Sequence, residues 1–252
     1  MRLPARSFNV TPGQYLSMDV RAFIDDLERI APPDLAEDYD AERIGLIVEG
    51  KREISQVCCS LDATPKAVQE AVRLNADMLV VHHTPFWDPL TRITGLKAQL
   101  LKSLLSSDMN LYVMHTNFDR APQGVNGALA GILDLTDITG MSMGLVGSCS
   151  ISIDEISRKL GGNIRIWGKG NSVNRLAIVG GSGFDTALID EAVALGAEAF
   201  LSSELKHHVA RSSPLLCIEA THYALEAPAM RMLAFRKGWH FIDDVPVIHV
   251  YP

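Results

Sequence analysis

Residues 78–85 read MLVVHHTP, an apolar run that ends in two adjacent histidines. Such a run, bounded by polar residues and a proline, is typical of a buried strand. Pro85 stops the strand, so the imidazoles of His82 and His83 are expected at an edge of the sheet. Adjacent side chains on an extended chain point to opposite sides, and the pair therefore suits two neighbouring metal ions better than one. Paired histidines at the start of a loop are also often ordinary polar residues.

The chain around this strand predicts a β-α-β unit. Strands are expected at 55–61 and 78–81, and Thr64 and Pro65 mark the start of the helix between them. A strand, a helix and another strand in succession favour parallel pairing. The other elements expected in this half are a helix that begins after Asp19, strands at 45–48 and 110–114, and a helix at 97–106.

The second half repeats the helix and strand that lead into the histidine pair. EAVRLNADMLVVHH at 70–83 aligns without a gap to EAVALGAEAFLSSE at 191–204, with Asp77 opposite Glu198. The histidine pair aligns with Ser203-Glu204. The identities indicate an internal duplication, although any two β-α-β units share a general likeness. The elements expected in the repeat are strands at 175–179 and 199–201 and a helix at 186–195.

The duplication predicts an α/β fold of two similar, duplicated domains with largely parallel sheets. A flexible tail is expected at 1–15, a first domain at 16–127 and a second at 128–252 that closes back on the first. With 252 residues, of which 47% are hydrophobic, the chain can build cores for two modest domains. Ligands of open α/β sheets bind at the carboxyl ends of the strands, so the site is expected there, between the two domains.

Charge, cysteine content and hydropathy argue against several classes of protein. The net charge of −7 provides no general attraction for phosphate backbones, which disfavours nucleic-acid binding. The four cysteines form no CxxC pair, and Cys58 and Cys59 lie in an apolar run typical of buried thiols. No run approaches the length of a membrane span, and the first residues lack the apolar core of a signal peptide. We therefore expect a cytoplasmic protein without a membrane partner.

A second polar cluster follows the strand expected at 110–114. It reads HTNFDRAPQGVN, and its proline and glycine predict a loop. His115 and Asp119 are its candidates, because imidazole and carboxylate are ligands that first-row divalent metals accept. An Asx turn in which Asn117 and Asp119 bond their own backbone explains the same residues without a metal.

A third cluster, THYALE, follows the strand-like LLCIEA at 215–220. Thr221 is expected to cap a helix on which His222 and Glu226, four residues apart, share a face. Amphipathic helices carry such pairs by chance as well. Taken together, the three clusters supply five candidate ligands for two divalent ions, which are His82, His83, Asp119, His222 and Glu226.

These motifs resemble the Nif-three-like dinuclear metal-centre family, many of whose members are labelled type 2 GTP cyclohydrolase I. The likeness runs from about Asp19 to the C-terminus. It rests on the His-His-x-Pro, HTNxD-x-A-P-x-G-V-N, GGSG and HYxxE patterns and on LAEDYDAERIGLIVEG at 35–50. The resemblance implies that the family's metal ligands fall on the five candidates, that Glu226 bridges the two ions, and that the protein forms a homohexamer.

The expected chemistry is hydrolysis. Two divalent ions about 3.5–4 Å apart lower the pKa of a shared water and polarise the group it attacks. We therefore predict a dinuclear metal hydrolase-like protein, resembling type 2 GTP cyclohydrolase I, that acts on a small nucleotide- or pterin-like substrate. Glu204 and His115 are the candidate general bases, because both lie at strand ends. Imidazole and carboxylate suit zinc, iron, manganese and nickel alike, so the metal stays open.

Basic side chains near the strand ends are candidates for holding a substrate's phosphates. They are Arg120, Lys206 and His208, with His207 and Arg92 beside them, and a solvated surface explains them equally well. The GGSG turn at 180–183 lacks the Lys-Ser/Thr of a P-loop. The alternative function is a metal-binding scaffold or regulatory protein without turnover, although a His/Asp/Glu set leaves coordination room for water and so favours catalysis.

Overall fold

Two six-stranded β-sheets form the framework of the protein in the computed structural model, which describes residues 14–161 and 163–249. The first sheet contains β1 (Gln14–Asp19), β2 (Gly45–Val48), β3 (Glu53–Asp62), β4 (Met78–His83), β5 (Asn110–Val113) and β12 (His240–Phe241). The second contains β6 (Thr136–Gly140), β7 (Leu145–Ser152), β8 (Arg165–Trp167), β9 (Ser172–Ile178), β10 (Ala199–Ser202) and β11 (Leu216–Glu219).

Helices connect and cover these strands. They are α1 (Val20–Ile30), α2 (Pro65–Arg73), α3 (Gly95–Ser106), α4 (Thr116–Arg120), α5 (Val125–Ile132), α6 (Ile153–Lys159), α7 (Thr186–Ala194), α8 (His207–Ser212) and α9 (His222–Lys237), with 3₁₀ turns at Pro33–Leu35 and Asp38–Asp40. Among the described residues, no helix has both the length and the apolarity that a membrane crossing requires.

Each sheet is built on three parallel strands with matching register. In the first sheet β3, β4 and β5 are parallel neighbours, and in the second β9, β10 and β11 are. The Met114 N–H donates to the Val81 carbonyl, and the Ala220 N–H donates to the carbonyl of Ser202, the residue that aligns with Val81. The prediction of two similar, duplicated α/β domains is confirmed. Their boundaries stay a prediction, and α5 spans the position expected for the boundary.

The last strand returns to the first sheet. The chain leaves α9 and forms β12, which pairs in parallel with β3 through His240 and Cys58 and through Phe241 and Cys59. β12 thereby takes the same side of β3 as the antiparallel β1, opposite β4. Helix α9, which begins in the second half of the chain, is therefore tied at its carboxyl end to the first sheet.

The elements expected for the two β-α-β units are present to within three residues at either end. The loop expected at 115–126 is wrong, because Thr116–Arg120 forms α4 and α5 begins at Val125. The His115 N–H donates to Asn117 Oδ1, and buried Phe118 turns this segment into the core. Residues 1–13 of the expected tail lie outside the described residues, and residue 14 begins β1.

The core lies in three layers of contact. One face of the first sheet packs on α2 and α3, and one face of the second packs on α7 and α8. The remaining faces enclose a central layer that includes α1, α4, α5 and α9. Along β4, Met78 and Val80 face this central layer while Leu79 and Val81 face α2 and α3. A strand buried on both faces explains the uninterrupted apolar run before the histidines.

Candidate metal centre

The five candidate ligands meet where the parallel strands end against the central helices. β4 carries His82 and His83 as its last two residues, and Asp119 lies on α4, just after β5. His222 and Glu226 lie in the first turns of α9, which follows β11. The Thr221 hydroxyl accepts from the Ala224 N–H and so caps α9, as expected. The strand ends and the helix start thus bring distant segments of the chain into one cluster.

Glu226 connects two groups of potential ligands. Its Oε1 lies 3.7 Å from His82 Nε2, which is 3.5 Å from Asp119 Oδ1. Its Oε2 lies 2.9 Å from His83 Nε2 and 3.0 Å from His222 Nε2. Within each group the potential ligand atoms lie within 4.8 Å of one another. A carboxylate with one oxygen in each group has the placement that a bridging ligand needs, and the adjacent histidines divide between the groups.

Each imidazole of the cluster has its Nδ1 held by an acceptor. The Nδ1–H of His82 donates to the Met114 carbonyl and that of His83 donates to Asp62, each at 2.7 Å. The Nδ1–H of His115 donates to Asp40 and that of His222 donates to Glu204, each at 2.8 Å. Metal-bound histidines almost always donate their other ring N–H in this way, which fixes the ring and its tautomer. The Nε2 atoms are therefore the ones left for the centre of the cluster.

The cluster has a buried side and an open side. His82 is completely buried and the side chain of Glu226 is 3% exposed, whereas the side chains of His83 and His222 are 17% and 33% exposed. Asp119 lies on the buried side as well. Among the five candidate ligands, the exposed pair therefore offers a small molecule the most open approach to the cluster.

Burial and neighbouring charges shift the pKa values of the cluster. Burial opposes a charge on His83, but the carboxylates of Asp62 and Glu226 outweigh it and raise the pKa to about 10. Burial also opposes a charge on His222, but the Glu226 carboxylate outweighs it and raises the pKa of His222 to about 9. Burial and the repulsion of Glu226 raise the pKa of Asp119 to about 8. Burial also opposes the charge of Glu226, yet the surrounding imidazoles hold its pKa well below its usual range.

The donor atoms fit divalent metal ions. His82 Nε2, Asp119 Oδ1 and Glu226 Oε2 are buried, and none has a hydrogen-bond partner among the described residues. Glu226 Oε2 lies close to two imidazole nitrogens, but neither contact has the geometry of a hydrogen bond. Buried polar atoms without partners are rare unless an ion or a water satisfies them. Imidazole nitrogens and carboxylate oxygens in such a set are what first-row divalent ions bind.

A glycine makes room for the shared carboxylate. Gly181, in the GGSG turn, has φ +68°, and a Cβ atom built there would lie 2.3 Å from Glu226 Oε1 and 3.2 Å from His222 Nε2. Two amides of this turn are used internally, since the Gly180 N–H donates to Asn126 Oδ1 and the Gly183 N–H to Ser202 Oγ. The turn therefore shapes the space around Glu226.

The two candidate bases occupy different positions. His115 forms a potential ligand group with His82 and His83, and its Nδ1 is bound to buried Asp40. Glu204 lies on the far side of His222 from Glu226, and its backbone has the left-handed φ of +61°, which is uncommon outside glycine. Burial opposes the charge of Glu204, but the hydrogen bond from His222 and the charge of that imidazole together outweigh it and lower the pKa of Glu204. Glu204 thus contacts the cluster through His222.

Apart from Arg120, the basic residues expected to bind substrate are exposed, and their role stays a prediction. Lys206, His207 and His208 are exposed, and their side chains make no hydrogen bond or ion pair with the residues that the structure describes; Arg92 is exposed as well. The Arg120 guanidinium donates to the carbonyls of Leu35 and Ser142 and pairs with Glu37. Arg120 therefore connects segments of the protein, and its role in binding substrate stays a prediction.

Two residues of the site were not among the candidates. Asp62 ends β3, next to His83 on β4, and Asp40 accepts hydrogen bonds from both the N–H and the hydroxyl of Thr116 as well as from His115. A polar residue at the end of an apolar strand was the available signal for Asp62. For Asp40 the signal was its place in the family-like segment at 35–50.

The chain was compared with protein families and with solved structures. Residues 18–240 match the family model Duf34/NIF3 (NGG1p interacting factor 3). A Streptomyces coelicolor protein named GTP cyclohydrolase 1 type 2 homolog is 32% identical over 248 residues, which covers 84% of this chain and 86% of that protein.

Solved structures give the same result. Reduced HcgD from Methanocaldococcus jannaschii has a TM-score of 0.78 and 29% identity, covering 90% of this chain and 98% of its own. TTHA1606 from Thermus thermophilus has a TM-score of 0.79 and 27% identity, covering 92% of this chain and 100% of its own. The resemblance seen in the sequence motifs is confirmed, and the chain belongs to the DUF34/NIF3 family.

Proposed function

We propose that the protein holds two divalent metal ions and hydrolyses a small nucleotide- or pterin-like substrate. The observation that carries this proposal is the position of Glu226, with one carboxylate oxygen in each of two ligand groups. His82 and Asp119 would complete one site, and His83 and His222 the other. A bound pair of divalent ions supplies a water acidic enough to act as a nucleophile near neutral pH.

His115 would be placed to act as a general base in this chemistry. Its Nδ1–H donates to buried Asp40, so Nε2 is the nitrogen without a proton and can accept one. Burial opposes the charge of Asp40, but hydrogen bonds from His115 and Thr116 outweigh it and lower the pKa of the carboxyl. An ionised partner stabilises the imidazolium that forms when His115 accepts a proton.

In this proposal Glu204 is a positioning residue. Its carboxylate accepts the Nδ1–H of His222 and keeps Nε2 of that ring directed at Glu226. Asp62 does the same for His83. The partly exposed pair, His83 and His222, then presents its site to the substrate, while the buried pair is shielded from solvent.

A metal-binding scaffold without turnover is the second candidate function. The names of the relatives favour an enzyme, since the Streptomyces coelicolor protein is called a GTP cyclohydrolase 1 type 2 homolog. A scaffold would bind the same ions but would release no product from any substrate. We also propose, from the family resemblance, that the protein works in the cytoplasm as a homohexamer.

Metal content tests the proposed centre directly. Protein purified without chelator or nickel affinity resin is expected to hold about two transition-metal ions per chain, and Glu226→Gln fewer than about one, because the variant loses the anionic bridge. Glu49→Gln, on the exposed surface, is the matched control and should retain both ions. Less than about half an ion in the wild type after reconstitution with zinc, iron or manganese would overturn the dinuclear centre.

Turnover then separates the enzyme from the scaffold. Metal-loaded wild type is expected to convert at least one member of a panel of nucleotides, nucleosides and pterins, followed by liquid chromatography and mass spectrometry. His115→Asn should lose most of the rate because the general base is gone, and the metal content of the same sample shows whether His115 is also a ligand. A fully loaded protein that converts none of the panel would favour the scaffold.

A further inference from the structure

The open side of the cluster faces a cavity of about 370 Å³. His83 and His222 form part of its wall, together with Asp62, Trp87 and the turn at Thr84 and Pro85. Cavities of about 300–1,000 Å³ are the size that small-molecule sites have. A substrate that reaches the exposed histidines must therefore lie against these residues.

Trp87 is the largest apolar surface in this wall. It is 45% exposed although its ring packs on His115, with ring centroids 5.2 Å apart and the planes at 78°. Its backbone is also fixed, since the Trp87 carbonyl accepts a hydrogen bond from Arg43 Nε at 2.7 Å. A fixed indole with nearly half its surface exposed is a platform on which a planar ring can stack.

The polar groups of the cavity select among planar rings. Asp62 uses Oδ1 to hold His83, and its Oδ2 has no hydrogen-bond partner among the described residues. The Asp62 side chain is 39% exposed, so Oδ2 can accept from an N–H group of a ligand. No lysine or arginine lines this cavity within the described part of the chain. The Asp62 charge is balanced by His83, so beyond the proposed metal centre the cavity has no cationic side chain left to hold a phosphate chain, whereas the free Oδ2 favours an N–H donor.

The adjoining cavity provides no better place for a phosphate chain. It has a volume of about 640 Å³ and shares Thr84 and Trp87 with the first. Arg43 lines it, but three acidic residues line it as well: Asp38, Glu42 and Asp88. The guanidinium of Arg43 also donates to the carbonyls of Tyr39 and Trp87. Acidic side chains therefore outnumber basic ones in the adjoining cavity, which disfavours a phosphate chain there.

We propose that Trp87 positions the substrate by stacking and that the site takes an uncharged, planar heteroaromatic compound with N–H donors, at the level of a nucleoside or a pterin and not of a nucleoside triphosphate. The ring stacks on Trp87, its N–H group donates to Asp62, and its reacting edge faces His83 and His222. This inference rests on the proposed metal centre and narrows its substrate class.

Binding measurements on the metal-loaded protein test this inference. Guanosine, adenosine and pterin are titrated calorimetrically beside GTP, and the metal content of the same sample is measured. At least one uncharged probe is expected to bind about 10-fold or more tightly than GTP. Trp87→Ala should weaken that binding by about 10-fold or more, because stacking on an aromatic side chain is lost, while Trp87→Phe should stay within about 3-fold.

Trp167→Ala is the matched control, because Trp167 lies on β8 of the second sheet and lines neither cavity. GTP binding more tightly than every uncharged probe, or equal affinity of Trp87→Ala and wild type, would overturn the inference. So would the absence of saturable binding of all three uncharged probes to protein that holds its metal. Metal content tests the proposed centre independently of ligand binding. Wild-type protein without bound metal would contradict the proposed centre, whereas metal-loaded protein that does not bind the ring compounds would contradict the role of Trp87.

Discussion

Asp77 and Glu198 occupy the same position in the two halves of the molecule. The Asp77 N–H donates to the Gln56 carbonyl, and its Oδ2 accepts from the N–H groups of Ser55 and Gln56 at 3.0 and 2.9 Å. The Glu198 N–H donates to the Arg175 carbonyl, and its Oε2 accepts from the Asn174 N–H at 2.9 Å. Each carboxylate thus accepts hydrogen bonds from the backbone of the strand that precedes it in the sequence, β3 for Asp77 and β9 for Glu198.

The two carboxylates predict different costs for the loss of charge. Asp77 is buried and also accepts from Lys51 Nζ at 2.6 Å, whereas Glu198 is exposed. Asp77→Asn is expected to lower the free energy of unfolding at pH 7 by about 1–3 kcal/mol, because charge-assisted bonds to a buried group are lost. Glu198→Gln, the matched control, should lose less than about 1 kcal/mol. Urea unfolding followed by circular dichroism measures both.

The effect of Asp77 should depend on pH in a defined direction. Burial opposes its charge, but hydrogen bonds from Lys51, Gln56 and Ser55 outweigh it and lower the pKa of the carboxyl. A lowered pKa in the folded state stabilises the protein above the unfolded value of about 3.9, and this contribution is lost as the pH falls through the folded value. The difference in the free energy of unfolding between wild type and Asp77→Asn should therefore be largest near neutral pH and become smaller below about pH 4. A difference that is constant with pH would contradict this assignment.

Gly181→Ala should separate backbone strain from damage to the metal centre. The new Cβ would lie 2.3 Å from Glu226 Oε1, so the carboxylate must move, and we expect the metal content to fall to about one ion per chain or less. Gly238 has the same φ of +68°, but a Cβ atom there would have nothing within 4 Å, and Gly238→Ala should therefore keep its metal. Both variants should lose about 1 kcal/mol for a left-handed non-glycine residue. Equal metal loss in the two would point to general destabilisation.

Asp40→Ala should release the constraint on which nitrogen of His115 carries the proton. One oxygen of Asp40, Oδ2, accepts from His115 Nδ1–H and from the N–H and hydroxyl of Thr116, so an asparagine would keep an acceptor there and alanine removes it. Long-range ¹H–¹⁵N correlation spectra of the metal-loaded protein are expected to show the Nε2–H tautomer of His115 in the variant. Asp38→Ala, two residues away and exposed, is the control and should leave the spectrum unaltered. Full retention of the Nδ1–H tautomer in Asp40→Ala would remove Asp40 from the proposed mechanism.

The sequence predicted the parts of the fold that depend on local pattern. The run before His82 is apolar throughout because β4 is buried on both faces, and the repeat at 70–83 and 191–204 is legible because both copies keep the same strand register. The i,i+4 spacing of His222 and Glu226 places both on one face of a helix wherever that helix lies. Such relations need no knowledge of the rest of the molecule.

What could not be predicted depends on contacts between distant segments. Asp40 reaches His115 across 75 residues of chain, and β12 reaches β3 from the other end of the sequence. β12 is two residues long, and its place in the sheet is fixed by β3 and not by its own pattern. The helix α4 replaced the expected loop for a similar reason, because burial of Phe118 outweighs the local turn signals.

Because β12 returns to the first sheet from the end of α9, the proposed centre can be completed only late in synthesis of the chain. A ribosome releases the chain from its first residue onward, so His82 and His83 emerge while α9 and β12 are still unmade. A truncated product that ends before residue 222 has the histidine pair and Asp119 but no shared carboxylate. The proposed metal pair therefore requires α9 to be made and packed against the first sheet, so metal retention would report on a late step in the folding of the chain.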